Sequence, residues 1–314
     1  MACMFSIFAL FTQSRRENTW GFFAHKKINR ISVFTLPTGM FGFYKTNLEY
    51  VETNAVNPDK RRYLVEAEGQ RHYFDYDAYP DSLTAVMPIP WHQVKALFSE
   101  NFFKENGTLP WHVHAMYYQL RKAFSEKNAA QILRLSSDVG HYLSDANVPL
   151  HTTANYNGQL TGQHGIHGFW ESRLPELFFE DYNLFTGKAV YLDDPSATVW
   201  KHIKLANAAV DSVLLFEKEL SSHTSSDEKY SYEKRGNANV RTYSREYSKA
   251  YHDMLHGMVE RQMRRAIKLT GSFWYTCWVD AGMPNLDNLT EEPVEEPDSL
   301  DQRKTIKVFR PHEH

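Results

Sequence analysis

Two pairs of side chains have the residue types and the spacing of metal ligands. His141 and Asp145 are four residues apart, as are His167 and Glu171, and His151 lies between the pairs. On an α-helix, residues at this spacing leave the same face one turn apart, so each pair could bind one ion. Imidazole and carboxylate ligands without a thiolate favour zinc, ahead of manganese or iron. In a chain with 15 histidines one such pair could be incidental, but two pairs around a third histidine predict a metal site.

The ligand sets differ in how complete they are. His151, His167 and Glu171 could bind one zinc and leave a fourth position open for water or substrate, as a catalytic zinc site requires. His141 and Asp145 need partners from elsewhere in the chain. The upstream candidates are His25, Asp59 and His72. Each of these has an ordinary structural explanation as well, for example a first-turn helix carboxylate for Asp59 and a core histidine among aromatic residues for His72.

Taken together, these residues resemble the zinc-dependent phospholipase C and S1/P1 nuclease superfamily, a group of all-helical hydrolases with three zinc ions in one cleft. The matching features are, in chain order, Trp20-Gly-Phe-Phe-Ala-His25, Asp59, His72, His141-x3-Asp145-x5-His151 and His167-x3-Glu171. The resemblance extends from about Trp20 to Phe178. Its order and spacing make it specific.

The resemblance implies a ligand set for each ion. It assigns one zinc to Asp59, His72, His141 and Asp145, and another to His151, His167 and Glu171. Asp145 would bridge to a third zinc, completed by His25 and by the amino and carbonyl groups of Trp20. A free amine at Trp20 requires removal of the preceding residues, so an uncleaved chain would hold two ions or a weakened third. We therefore expect two or three zinc ions.

The resemblance also implies the reaction, which is hydrolysis of a phosphodiester by a metal-activated water. Three Zn²⁺ ions would outweigh the charge of the carboxylates Asp59, Asp145 and Glu171, and the resulting cationic cleft would attract a phosphodiester anion. Asp59 is the candidate catalytic residue, as proton acceptor for the attacking water, if one of its oxygens stays free of metal. No side-chain nucleophile is needed.

The sequence indicates the class of substrate less clearly than it indicates the reaction. The short spacing from Trp20 to His25 looks like the nuclease branch. Glu171 and the gap of sixteen residues from His151 to His167 look like the phospholipase branch, which we favour. The alternatives are an S1/P1-type single-strand nuclease with 3′-nucleotidase activity, another phosphoesterase, and a non-catalytic zinc-stabilised binding domain. Closed four-ligand ions would distinguish the binding domain from an enzyme.

The composition is that of an ordinary globular protein, with 314 residues, 42% hydrophobic residues and a net charge of −3. So small a net charge gives no extended cationic field, and stable binding to duplex DNA is not expected. Only Cys3 and Cys277 are present, so no disulfide framework is predicted. No apolar run approaches the roughly 18 residues that a transmembrane helix needs. We expect a monomer that contacts its phosphodiester substrate, either phospholipid or single-stranded nucleic acid, and transiently a membrane surface.

The N-terminal residues resemble an export signal in part. Residues 1–11 are apolar, but they lack a leading positive charge, and Arg15, Arg16 and Glu17 stand where small residues should precede a cleavage site. We interpret residues 1–19 as a leader segment. Its removal would give a secreted or periplasmic protein.

The remaining patterns predict a single all-α domain over residues 20–289. Helices are predicted at about 19–36, 59–65, 91–103, 111–124, 128–146, 196–220 and 242–269. The stretch from about 54 to 90, rich in proline, predicts a long irregular connection. The glycine- and amide-rich stretch 155–165 predicts a loop that forms a wall of the site, with His164 as a loop residue rather than a ligand. Residues 290–314 predict a flexible tail.

Overall fold

The computed structural model describes residues 21–236, 238–287 and 289, and this part of the chain is almost entirely α-helical. The helices are α1 (Gly21–Val33), α2 (Thr38–Thr46), α3 (Leu48–Asn54), α4 (Asn57–Arg61), α5 (Asp81–Thr84), α6 (Trp91–Lys95), α7 (Glu100–Asn106), α8 (Leu109–Ser125), α9 (Ala129–Asp145), α10 (Ile166–Gly168), α11 (Leu174–Phe178), α12 (Pro195–Asn207), α13 (Val210–Ser222), α14 (Ser226–Lys229), α15 (Arg245–Met254) and α16 (Met258–Asp280). The all-α prediction is confirmed. The predicted leader 1–19 and tail 290–314 lie outside the described residues.

Shorter elements connect these helices. Gly69–Arg71, Tyr76–Ala78, Pro149–Thr152 and Phe179–Asp181 form 3₁₀ turns, and Phe169–Arg173 forms a π turn. Strands β1 (Tyr230–Arg235) and β2 (Ala238–Tyr243) pair antiparallel, with Tyr230 opposite Tyr243. Sequence analysis predicted no strand here, so the hairpin is a finding of the structure.

Helix α9 lies at the centre of the fold and contacts α1, α3, α8 and α16. It begins where predicted, since the Asn128 side chain accepts a hydrogen bond of 3.0 Å from Gln131 N and so caps the first turn. Ile132, Val139 and Leu143 are fully buried along it. The helix ends at Asp145, and the chain then turns into Pro149–Thr152. The last turn of α9 is therefore held rigidly within the core.

The apolar side chains form two clusters that the ligand-bearing segments join. One cluster is built around Tyr44 and Trp274, which stack with ring centroids 5.1 Å apart, and it includes Leu143 of α9. The other is built around Phe169 and Tyr251, with centroids 4.9 Å apart, and it includes Ile28 of α1. Packing on both sides thus fixes the helices that carry the candidate ligands.

Two long predicted helices are each divided in the structure. The pattern at 242–269 corresponds to α15 and α16, separated by a turn in which Gly257 has φ 72°. This left-handed conformation ends a helix and is unfavourable for residues with a side chain. The pattern at 196–220 corresponds to α12 and α13. Among the described residues, no helix combines the length and apolar content needed to cross a bilayer.

Candidate metal centre

Five of the predicted ligands converge at the end of α9. We call His25, Asp59, His72, His141 and Asp145 the Asp145 group. The ligand atoms of His25, His141 and Asp145 lie within 4.8 Å of one another, and so do those of Asp59, His72 and His141. His141 belongs to both sets. The structure therefore brings together side chains from α1, α4, α9 and the turn after Gly69–Arg71.

The carboxylate of Asp145 faces two directions. Its Oδ2 lies 3.1 Å from His72 Nδ1 and 3.3 Å from His141 Nε2. Its Oδ1 lies 3.4 Å from His25 Nε2 and 4.0 Å from His151 Nε2. Oδ1 is buried and has no hydrogen-bond partner within the described part of the chain. The two oxygens thus serve different sets of imidazoles, as a bridging carboxylate would.

Asp59 is the most exposed member of the Asp145 group. It lies in the first turn of α4, and its Oδ1 is 3.7 Å from both His72 Nδ1 and His141 Nε2. The side chain of Asp59 is 18% exposed, whereas those of His72 and His141 are fully buried. Solvent therefore reaches the group at Asp59. Arg62 follows on the same side, with its Nη1 3.6 Å from Asp59 Oδ1.

His25 reaches the group because α1 packs closely against α9. The imidazoles of His25 and His141 stack with centroids 3.9 Å apart. Beside them, Gly140 of α9 leaves no room for a β-carbon, since that atom would overlap the buried side chain of Asn29 on α1. The same amide group of Asn29 donates to Ser137 O at 3.0 Å. A glycine at this position thus sets the distance between the two helices.

Three further predicted ligands form what we call the Glu171 group, His151, His167 and Glu171, whose ligand atoms lie within 4.8 Å of one another. Glu171 Oε2 is 3.1 Å from both His151 Nε2 and His167 Nε2. His151 lies in the Pro149–Thr152 turn, His167 on α10 and Glu171 on the π turn that follows. The i, i+4 pair predicted for a regular helix therefore spans a widened turn, a distortion often found at functional sites.

Backbone carbonyls orient three of the imidazoles. His141 Nδ1 donates to Ala55 O at 2.8 Å, and His151 Nδ1 donates to His72 O at 2.6 Å. His167 Nδ1 donates to Tyr156 O at 3.1 Å. Because a neutral imidazole carries one N–H and one lone pair, each bond directs the Nε2 lone pair into the ligand group. This is the arrangement that metal-binding histidines require.

The surroundings also keep the histidines neutral. Burial, followed by repulsion from His141, lowers the pKa of His25 to about 3. Burial likewise lowers the pKa values of His72, His141 and His151. Each imidazole therefore offers a lone pair at neutral pH, which is the form that binds a cation.

The pKa values of the two buried carboxylates, Asp145 and Glu171, are shifted in opposite directions. Burial, reinforced by Asp59 and Glu171, raises the pKa of Asp145 well above its usual range. Burial by itself would also raise the pKa of Glu171. The adjacent His167 and His151 outweigh this effect and hold the pKa of Glu171 well below the usual range. A carboxylate buried among neutral imidazoles is costly without a counter-charge. A cation beside Asp145 would offset this cost.

The spacing of the ligand atoms fits zinc. Tetrahedral Zn²⁺ with bonds of about 2.0 to 2.2 Å places neighbouring ligand atoms roughly 3.3 to 3.6 Å apart. His141 Nε2 lies 3.0 Å from His72 Nδ1, and Asp59 Oδ1 lies 3.7 Å from His72 Nδ1. Glu171 Oε2 lies 3.1 Å from each histidine of its group, and the ligand atoms of each three-residue set are all within 4.8 Å of one another. Nitrogen and oxygen donors without a thiolate also suit this ion. The residues present therefore fit zinc.

Some positions add to or differ from the sequence-based picture. Trp20 lies outside the described residues, so its predicted ligand role stays a prediction. His164 is exposed and belongs to neither group. Sequence analysis missed Arg62 and Glu68, both buried close to the ligands. A cation three residues after Asp59 could have suggested Arg62, but no local pattern suggested Glu68.

Comparison with known proteins gives a fold similarity only. No protein-family model matches the chain, and no curated protein matches its sequence. The structure is similar to that of the alpha-toxin of Clostridium perfringens from avian strain SWCP, with a TM-score of 0.47, 14% identity, and coverage of 84% of this chain and 64% of the toxin. The Clostridium absonum alpha-toxin gives a TM-score of 0.46, 12% identity, and coverage of 84% and 65%. The chain thus spans slightly less than two thirds of the length of these toxins.

Proposed function

We propose that this protein is a zinc-dependent phosphodiester hydrolase of the phospholipase C type. The observation that carries the proposal is the position of Asp145. One of its oxygens faces His72 and His141, and the other faces His25 and His151. Asp145 therefore faces two sets of imidazoles, as a carboxylate that holds two neighbouring ions beside one phosphate would.

The chain supplies a proton acceptor and a positive charge at this centre. Zinc, when bound, would lower the pKa of a coordinated water towards about 7 and bind the phosphate oxygens. Asp59 lies at the solvent-exposed side, where it can accept the proton of the attacking water through an oxygen not used as a ligand. Arg62, 3.6 Å from Asp59 Oδ1, places a guanidinium where it can contact a phosphate oxygen. Asp145 and Glu171, both buried, hold the ligand geometry.

Side chains beside the site support a lipid substrate over a nucleic acid. Two aliphatic side chains, Leu64, 59% exposed, and Val65, 40% exposed, follow Arg62 closely, together with the exposed Tyr63. Aliphatic groups suit acyl chains and a membrane surface, and tyrosine is enriched at membrane–water interfaces, whereas single-strand binding uses several aromatic rings for successive bases. We therefore propose transient contact with a phospholipid surface at these residues.

We also propose that the protein is exported and that residues 1–19 are removed. Removal of residues 1–19 would expose the amine of Trp20, the neighbour of Gly21 at the start of α1. A β-carbon on Gly21 would lie 3.1 Å from Glu171 Oε1, so residue 21 adjoins the ligands. Mass spectrometry of the protein secreted by its own cells would test this. A mature chain beginning at Trp20 is expected, and an intact N-terminus on an exported chain would contradict it.

A single assay tests the proposed activity. The full chain, and a second form beginning at Trp20, would be loaded with zinc and given short-chain phosphatidylcholine or single-stranded DNA. We expect release of phosphocholine that disappears in His151→Ala. His164→Ala is the matched control, because His164 is exposed and outside both ligand groups, and it should retain activity.

The outcomes separate the alternatives. Cleavage of DNA but not of lipid would move the protein to the single-strand nucleases. No turnover of either substrate by a zinc-loaded chain would support a binding domain instead. Equal activity of His151→Ala and the wild type would show that the Glu171 group has no part in the reaction.

A further inference from the structure

A buried carboxylate lies behind His72, on the side away from the other ligands. Glu68 is 1% exposed. Its Oε2 accepts a 2.8 Å hydrogen bond from Arg71 Nη1, and its Oε1 accepts one from the hydroxyl of Tyr142. Oε1 also lies 3.5 Å from Arg61 Nη2 and 3.8 Å from His72 Nε2. Two arginines thus compensate the buried charge, and one oxygen remains directed at His72.

His72 differs from the other histidines in which ring nitrogen it directs into the Asp145 group. Its Nδ1 lies 3.1 Å from Asp145 Oδ2 and 3.0 Å from His141 Nε2. Its Nε2 points the opposite way, towards Glu68. For Nδ1 to offer a lone pair to a cation, the proton of the neutral ring must lie on Nε2. At 3.8 Å the Glu68 carboxylate is too far for a direct hydrogen bond, but it favours that N–H electrostatically.

The group that orients the His72 ring also differs from the groups that orient the other three imidazoles. His141, His151 and His167 each donate Nδ1–H to a backbone carbonyl. His72 has a carboxylate side chain in the corresponding place. A carboxylate behind a ligating imidazole fixes its protonated nitrogen and makes it a stronger ligand. Unlike a carbonyl, this partner can be changed by mutation.

The same network holds three ligand-bearing segments together. Arg61, at the end of α4, donates from Nη1 to Asp138 Oδ1 at 3.2 Å, and its Nη2 lies 3.1 Å from Asp138 Oδ2. Asp138 lies on α9, one turn before His141. Glu68 joins this pair through Arg61 and through Tyr142 of α9. The network therefore connects the helix of Asp59, the turn of His72 and the helix of His141.

We propose that Glu68 is a positioning residue that selects the form of His72 with its lone pair on Nδ1 and thereby strengthens zinc binding by the Asp145 group. The proposal rests on the proposed zinc function but concerns a residue outside the ligand set. Glu68 acts through His72, so its effect depends on that imidazole. The Glu171 group, whose histidines are oriented by carbonyls, does not depend on it.

Zinc affinity of the full chain, measured by competition with a chromogenic chelator, tests this proposal without any assay of activity. We expect Glu68→Gln to weaken one zinc by about 10- to 100-fold, the usual effect of removing an outer partner of a ligand, and to leave the other unchanged. Glu66→Gln is the matched control. Glu66 is two residues away, 63% exposed and paired with Lys104, so its loss should leave both affinities unchanged.

A double-mutant cycle separates positioning from general stabilisation. In a His72→Ala background, Glu68→Gln should cause no further loss of zinc affinity, because the imidazole through which it acts is gone. An equal loss in both backgrounds, or wild-type affinity in Glu68→Gln, would overturn the proposal. If Glu68→Gln does not fold, Arg71→Gln removes a partner that is 33% exposed and should give a smaller loss of the same zinc. Failure of the wild type to bind zinc would refute the proposed function itself, and this proposal with it.

Discussion

The Glu171 group comes from residues 151–171, whereas the Asp145 group combines side chains from residues 25, 59, 72, 141 and 145. In the first, the ligands come from one short segment, and carbonyls orient both histidines. The carbonyl of Tyr156 orients His167 from within that segment, whereas the carbonyl of His72 orients His151 from outside it. In the second, the ligands meet only when α1, α4 and α9 pack together. One centre thus joins a ligand set from a short segment to one that depends on the packing of distant helices.

Different mutations should therefore weaken zinc binding by the two groups. Changes in long-range packing should weaken zinc binding by the Asp145 group and spare the Glu171 group. Changes in the loop before α10 should have the opposite effect. Asp145 connects the two groups, because its Oδ2 lies 3.1 Å from His72 Nδ1 and its Oδ1 lies 4.0 Å from His151 Nε2.

Asp145→Ala should have the largest effect, because it removes the carboxylate that lies between the other ligands of the Asp145 group and His151. We expect a loss of zinc from both and a fall in phosphodiester turnover of more than about 1000-fold, the upper range for removing one electrostatic contact from a reaction centre. Metal analysis and kinetics would measure the two losses. Retention of two tightly bound zinc ions would show that the groups are independent.

Asp59→Asn should separate binding from catalysis within the Asp145 group. Asn keeps the size of the side chain and a possible oxygen ligand, but it cannot accept the proton. We expect zinc content close to that of the wild type and a turnover lower by about 100- to 10,000-fold, the usual contribution of a general base. Unchanged turnover with full zinc content would exclude Asp59 from this role.

Gly140→Ala tests the dependence of the Asp145 group on packing. The added methyl would overlap Asn29 and force α1 away from α9. Overpacking of this kind costs about 1 to 3 kcal/mol, and it should separate His25 from Asp145. We expect a lower urea midpoint and weaker zinc binding at the Asp145 group, with the Glu171 group unaffected. Equal weakening at both groups would contradict the distinction between them.

Asn157→Ala tests the dependence of the Glu171 group on the loop before α10. Asn157 Oδ1 accepts from Gly165 N at 3.0 Å and from His167 N at 3.4 Å, and so ties the preceding loop to α10. Leaving these donors without an acceptor costs about 1 to 3 kcal/mol. Chelator competition should show weaker zinc at the Glu171 group alone. A loss confined to the Asp145 group would reverse our assignment.

The smallest expected effect is a dependence of the stability of the zinc-free protein on pH. Burial lowers the pKa values of His25, His72, His141 and His151 from 6.5, in the case of His25 to about 3. Between these values the unfolded chain binds more protons than the folded chain, so stability falls as the pH falls. The raised pKa of Asp145 opposes this trend, but it is one group against four. The urea midpoint with chelator present should be lower at pH 5 than at pH 7, and an equal or higher midpoint at pH 5 would contradict this balance.

The sequence predicted the locally specified parts of the molecule best. The cap at Asn128 and the end of α9 follow from patterns within a few residues and agree with the structure. His167 and Glu171 also lie close together, but across a π turn instead of one turn of a regular helix. Asp59 and His72 were upstream candidates in the sequence, and only the resemblance assigned them to one ion with His141 and Asp145. No local pattern joins them to α9, because long-range contacts such as Arg61 to Asp138 bring them there.

The features that sequence analysis missed depend on distant partners or on ambiguous local patterns. Glu68 resembles any surface carboxylate until Arg71 and Tyr142 enclose it. The hairpin had a local signal, since Gly236-Asn237 lies between two short runs, the first of which has tyrosines at alternate positions, Tyr230 and Tyr232. The Ser, Lys and Glu residues around it favoured an exposed segment instead. The π turn widens a pattern that looks helical in sequence.

X-ray diffraction at the zinc absorption edge, from crystals grown with zinc, tests the central claim most directly. We expect one anomalous peak between His151, His167 and Glu171, and another between His72, His141, Asp59 and Asp145, each about 2.0 to 2.2 Å from its ligand atoms. An open coordination position should face the Asp59 side. Absence of both peaks, or ions with no coordination position open to water, would contradict a hydrolytic centre at Asp145.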